Sequence, residues 1–132
     1  MTSARTLPIE DVRPTQLYLS AEKLRRVLEW FDFADPNHGT LPAFEHDRGW
    51  HLSDGHTRAF AAYLAGTETL RIVRDREVRE ADDFGLYLEC VDWCRDADVE
   101  SVADLRGRVL EPDTYEVRWL ERCRHARSRR EG

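Results

Sequence analysis

The apolar residues change their period several times along the chain, and each change predicts an element. Leu7-Pro-Ile-Glu-Asp-Val12 alternates loosely between apolar and polar and then meets Arg13-Pro14. That predicts a short strand leaving into a loop. Ser20 is a good N-cap for a helix over residues 21–31, where Leu24, Val27, Leu28 and Phe31 fall at helical spacing. Asp35-Pro-Asn-His-Gly39 has the composition of a loop. Residues 41–46 and 50–53 read as two short strands around a turn that contains Gly49, a hairpin. Asp54-Gly55 breaks that pattern. A helix follows over residues 56–64, rich in alanine and carrying Phe60, Tyr63 and Leu64, with Gly66 as its stop. Residues 69–74 alternate like a strand, with Leu70 and Ile72 on one face.

After Arg74 the texture changes. Residues 75–83 are a charged connector, and residues 84–96 form a helix apolar around most of its circumference, leaving Glu89, Asp92 and Asp96 for water. Ser101, with Asp104 at the fourth position, caps a short helix over residues 101–109, and Asp113 caps a last helix that runs through Arg122 or further. The order is β-α-β-β-α-β followed by about fifty residues of helices. The fold class expected is therefore α+β: a small mixed β-sheet with helices over residues 1–76, plus a C-terminal helical extension, residues 77–132, packed on it.

Composition narrows the setting. The chain has 132 residues, the length of one domain, and a 41% hydrophobic share that supports a real core. No stretch approaches the ~18 apolar residues of a membrane span, and Met1-Thr-Ser-Ala-Arg-Thr-Leu-Pro has no signal-peptide core. A cytoplasmic protein without membrane attachment, a monomer or homodimer, is expected. The net charge of −6 argues against a nucleic-acid coat. Six arginines crowd into residues 118–130, which reads as a frayed, solvated helix end, with a weak phosphate or nucleic-acid contact as the alternative. Three cysteines, an odd number without a secretion signal, read as free thiols packed in the core. A Cys90/Cys94/Cys123/His125 zinc site is the competing reading, though its spacing is looser than structural zinc sites use. His46 and His51 could face each other across the hairpin. Trp30, Trp50, Trp93 and Trp119 are spread over four elements, which suits core and docking positions better than a base-stacking platform. Trp93, Tyr115 and Trp119 are expected to lock the C-terminal helices together.

The most informative run is Leu52-Ser-Asp-Gly-His-Thr-Arg58. Glycine lets the backbone turn sharply as a strand ends. The first helical N–H groups then lack partners and point outward at the positive end of the helix dipole, which makes an anion site. Arg58 adds a forked donor for phosphate, and His56 and Thr57 add further donors. Asp54 beside the turn would repel a phosphate unless a divalent cation or a reacting hydroxyl lies between them. Spacing alone leaves a second reading open, in which Asp54 is only a helix cap and Arg58 only a surface charge.

Residues Ile9 to Asp75 resemble the ParB N-terminal/sulfiredoxin superfamily, through Val12-Arg-Pro-Thr-Gln16, the first helix, the Leu41-Pro42 strand start, the turn at residues 53–58 and the closing strand. The resemblance implies nucleotide phosphates bound at the turn and the following helix. Sulfiredoxins carry a reactive cysteine in a Gly-Cys-His-Arg turn. Gly55-His56-Thr57-Arg58 has none, so sulfinic-acid reduction is not implied. ParB partition proteins carry Gly-Glu-Arg-Arg and a helix-turn-helix domain; here His56 stands in place of the glutamate and the net charge is −6, so a DNA clamp is not implied. Asp54-Gly55-His56-Thr57-Arg58 is most similar to the Asp-Gly-His-His-Arg turn of free-serine kinases. Those kinases also use a glutamate before the first helix, where this chain has Gln16. An amide cannot act as a general base, and Glu22 or Glu29 would have to substitute.

Two functions follow as expectations. One is a phosphotransferase that uses a nucleoside di- or triphosphate, with Mg2+, on a small hydroxylated metabolite. In it Asp54 and His56 are catalytic, and Gly55, His56, Thr57 and Arg58 hold the nucleotide. The other is a non-catalytic, ParB-like nucleotide-sensing or adaptor module.

Overall fold

The computed structural model describes residues 3–131. The α+β class holds, with a five-stranded mixed sheet and helices packed around it. The strands are β1 (Arg5–Pro8), β2 (Val12–Arg13), β3 (Leu19–Ser20), β4 (Leu41–His46), β5 (Gly49–Leu52), β6 (Thr69–Arg74) and β7 (Val109–Leu110). The main sheet has the order β1-β6-β4-β5-β2, and β3 pairs in parallel with β7.

Where one strand was expected over Leu7–Val12, the chain makes two. Pro8 lacks an N–H for a ladder, and a tight 3-10 turn over Ile9–Asp11 intervenes. β1 then pairs with β6 at one edge, and β2 with β5 at the other. Five flat strands would separate those edges by roughly 19 Å. Four chain steps from Pro8 to Val12 reach at most roughly 14 Å. The sheet must therefore curl. Arg5 on β1 and Arg74 on β6 both lie over the Trp50 ring of β5, at 5.1 and 4.9 Å from its centroid. The hairpin turn also differs from expectation. Asp47 and Arg48 take the left-handed conformations, at φ 50° and 66°, and Gly49 opens β5.

Helix α1 (Ala21–Trp30) begins at Ser20, whose Oγ accepts from the Lys23 N–H at 3.2 Å. Helices α2 (His56–Leu64) and α3 (Phe84–Asp96) have the expected bounds. α2 is the central helix, and its Ala59, Phe60, Ala61 and Ala62 are buried against Leu41, Ala43, Leu52, Leu70 and Ile72 of the sheet. The connector before α3 holds one 3-10 turn, which buries Val78.

The C-terminal segment departs most from expectation. Ser101 and Asp104 do form a reciprocal cap, but only one 3-10 turn follows, over Val102–Leu105. Gly107, at φ 75°, ends it, and Val109–Leu110 becomes β7 beside β3. The last helix starts two residues earlier than Asp113 would place it. Glu111 is the flanking residue and Pro112 the first helical one, where a missing N–H costs nothing. The helix runs as α4 (Pro112–Tyr115), widens into a π turn over Glu116–Leu120 and continues as α5 (Glu121–Glu131). Its end is not a free solvated tail. Arg129 and Arg130 bond Glu89 at 3.1 and 3.3 Å, and Arg127 meets Asp83 at 3.4 Å. Glu89, expected to face water, is thereby half-buried. Trp93 packs edge-on against Trp119, with centroids 6.0 Å apart. Among the described residues no helix is long and apolar enough to cross a membrane.

Candidate functional site

The turn between β5 and α2 is built by one glycine. Gly55 adopts φ 79°, a left-handed conformation that side chains disfavour. A Cβ there would also lie 2.8 Å from Leu41 Cδ2 and 2.9 Å from Arg58 Nη2. Ala59 makes the first helical bond, to the Gly55 carbonyl at 3.0 Å. The N–H groups of His56, Thr57 and Arg58 precede it and so have no partner within the helix. No side chain caps this end. Asp54 is exposed, and its Oδ1 accepts only from the adjacent Gly55 N–H, at 2.8 Å.

His56 sits differently from the donor that its place in the turn suggests. It is buried, and its Nε2 accepts the Thr15 backbone N–H at 2.8 Å. That bond requires Nε2 to be unprotonated. Burial pushes its pKa down to about 4, against a smaller upward pull from the Asp54 carboxylate. At neutral pH the ring is an uncharged brace that ties the segment after β2 to the start of α2. What His56 can offer an anion is its backbone N–H. Thr15 completes the brace by donating its hydroxyl to the Leu52 carbonyl at 2.7 Å.

Arg58 folds back over the turn and donates to the His38 carbonyl at 3.2 Å. This fixes the guanidinium beside Gly39 and Gly55 and leaves the rest of its fork for a ligand. Ser53 is anchored by its hydroxyl to Asp75 Oδ2 at 2.7 Å, and its carbonyl accepts from the Tyr87 hydroxyl at 3.3 Å.

The turn opens into a cavity of about 580 Å³, within the size range of small-ligand sites. The structure brings Asp54, Gly55, His56, Thr57 and Arg58 together on its wall. Several walls were not foreseen. α1 contributes Lys23, Arg26 and Trp30, α3 contributes Tyr87 and Cys90, and the C-terminal helix contributes Tyr115, Cys123 and Arg127. Four cationic side chains (Lys23, Arg26, Arg58, Arg127) thus face two carboxylates (Asp54, Asp83) in a chain whose net charge is −6. Gln16 is in the cavity too, and its Nε2 donates to the Tyr115 hydroxyl at 3.3 Å. Glu22 pairs with Arg26, and neither Glu22 nor Glu29 lines the cavity.

The cysteines divide. Cys94 is buried in the core. Cys90 and Cys123 both line the cavity wall. The interaction with Cys123, together with burial, pushes the Cys90 thiol up. Cys123 is held low by its interaction with Cys90 and by Arg127, Arg122 and Arg124, against burial. Among the described residues no group of three or more His, Cys, Asp or Glu is placed to hold a metal ion. His51 stacks on Phe44, bonds the His46 carbonyl at 3.2 Å and lies 6.1 Å from the His46 ring, apart from the cavity.

No family model matches the chain, and no curated protein matches it. Among solved structures it is similar to protein Atu1540 from Agrobacterium tumefaciens, with 19% identity and a TM-score of 0.44. That likeness covers 56% of this chain and 39% of the other protein, so the chain spans well under half of that protein's length.

Proposed function

We propose that this protein binds a nucleoside di- or triphosphate through the turn at residues 54–58, in keeping with the resemblance to the ParB N-terminal/sulfiredoxin superfamily. The carrying observation is the excess of cations around unpartnered helix N–H groups inside a cavity of an acidic chain. A cavity for a neutral metabolite would not need that charge. In this reading the backbone N–H groups of His56, Thr57 and Arg58 cradle phosphate oxygens, Gly55 lets the ligand approach, and the Arg58 fork completes the contact. Asp54 is the one carboxylate on the turn. It fits Mg2+ that arrives with the nucleotide, since such ions take one or two carboxylates and otherwise phosphate oxygens and water.

Asp54 also favours phosphoryl transfer to a small hydroxylated metabolite, in which its carboxylate would accept the hydroxyl proton or orient the acceptor. Gln16 favours the non-catalytic module instead, because an amide, here bonded to Tyr115, is not basic enough to accept a proton. Calorimetry with pyrophosphate and nucleotides separates binding from its absence. Arg58→Ala should weaken binding by roughly 1.5–3 kcal/mol, and a wild type that binds none of them refutes the reading. Asp54→Asn then separates enzyme from module. In an enzyme, turnover on hydroxyl metabolites falls by ~100-fold or more while nucleotide affinity persists. A wild type that binds nucleotide and transfers nothing is the module.

A further inference from the structure

The four tryptophans were expected in core and docking positions, and three of them have partners there. Trp50 lies under two arginines, Trp93 has Arg122 over its ring at 4.2 Å, and Trp119 packs edge-on against Trp93. Trp30 is the exception. It is 57% exposed, and among the described residues its aromatic neighbour is the tilted Phe31 ring, 5.9 Å away. No cation stands over it among those residues. Yet its indole lines the cavity into which the turn opens.

Its place on α1 is informative. Ser20, Lys23, Val27 and Trp30 recur every three or four residues, so they share one helix face, and all four line the cavity. That face carries a cation in its first turn and an indole at its end. Seven residues of helix separate Lys23 from Trp30, or roughly 10 Å at 1.5 Å per residue. That matches the reach of a nucleotide from its phosphates across the ribose to its base. A bare polyphosphate has no use for the indole, and an apolar metabolite has none for Lys23 and Arg26.

We infer that the ligand's nucleobase lies against the Trp30 indole, which makes Trp30 the residue that favours nucleotides over bare polyphosphate. The inference rests on the turn being the phosphate site. Base–aromatic stacking tolerates any base because each has a π-face. The site should therefore discriminate strongly between nucleotide and polyphosphate and weakly among bases.

The test is calorimetry of the full chain with inorganic tripolyphosphate, adenosine and the four nucleoside triphosphates, each with magnesium. Wild type should bind nucleoside triphosphates about tenfold tighter than tripolyphosphate, the scale of one stacked base. Trp30→Ala should erase that ratio, while tripolyphosphate affinity stays within about twofold of wild type and shows that the variant is folded. Trp30→Phe should keep most of the ratio. If tripolyphosphate binds and the nucleoside adds nothing, or if Trp30→Ala leaves the ratio intact, the inference is overturned and the phosphate reading stands. Adenosine binding that depends on Trp30, combined with triphosphate binding insensitive to Arg58→Ala, would overturn the phosphate reading instead. A change in oligomeric state on Trp30→Ala with the ratio unchanged would assign the indole to an interface between copies and also overturn the inference.

Discussion

The His56–Thr15 brace has a measurable signature in acid. In the folded protein the His56 pKa is lowered from 6.5 to about 4 because burial disfavours the imidazolium. In the unfolded chain the ring titrates normally. Between those two values the unfolded state binds the additional proton, so stability rises with pH across the window and falls as pH drops through it. The span of about 2.5 pH units corresponds to about 3 kcal/mol. Against a typical domain stability of about 5–15 kcal/mol, that is a large share carried by one ring. His51 is also lowered to about 4, chiefly by burial, and acts in the same direction, so the wild-type profile alone cannot assign the effect.

His56→Gln makes the assignment. A glutamine oxygen can accept the Thr15 N–H in place of Nε2, but it has no proton to gain in this range. Urea unfolding at half-unit pH steps from 7.5 to 3.5 should show wild type losing about 3 kcal/mol more than His56→Gln. Almost all of that difference should accrue between pH 6.5 and about 4. Parallel profiles for the two proteins would refute the brace and reopen His56 as an accessible, protonatable group in the site.

Gly55→Ala should cost about 2 kcal/mol or more, because the left-handed backbone and the approach of Leu41 and Arg58 add together. Thermal unfolding checks it, and a variant as stable as wild type would mean that the turn is not held in this conformation. Iodoacetamide at pH 7.5 should label Cys123 at least about tenfold faster than Cys90 or Cys94, since Cys123 is held low while the two buried thiols are pushed up. If the cavity takes a nucleotide as proposed, added nucleotide should slow that labelling. Peptide mass spectrometry reads the sites, and equal labelling of all three thiols in native protein would refute the arrangement.

The elements legible in the sequence are those whose signals are local. α2 and α3 declare their bounds through apolar period and flanking residues, and the Ser20 cap needs nothing beyond Lys23. The misread elements depend on distant partners. β7 exists because Leu19–Ser20 lies beside it, some ninety residues away in the chain, and no period within residues 101–110 announces that pairing. The arginines of α5 read as a solvated tail because their partners, Asp83, the Gly85 carbonyl and Glu89, lie on the start and first turns of α3. The first strand was misread for a local reason, the missing N–H of Pro8, whose consequence appears only when the sheet curls.

The site follows the same division. The turn was legible because Asp-Gly before an amphipathic run is a local signal. Its cavity was not, because α1, α3 and the C-terminal helix supply walls that only folding brings together. This bears on what the C-terminal segment does. Tyr115 meets Gln16, Trp119 and Cys123 line the cavity, and Arg127 adds one of its four cations. Without that segment the turn would face a shallow surface, where solvent screens charge and an anion contact contributes little. The two sides of the cavity are also held unequally. The buried His56–Thr15 bond and the part-buried Ser53–Asp75 bond fix the turn on either side of Gly55, whereas α1 has no fully buried residue. Preorganised donors on one side and a half-supported wall on the other place any ligand-induced adjustment in α1, the wall that carries Lys23 and Trp30.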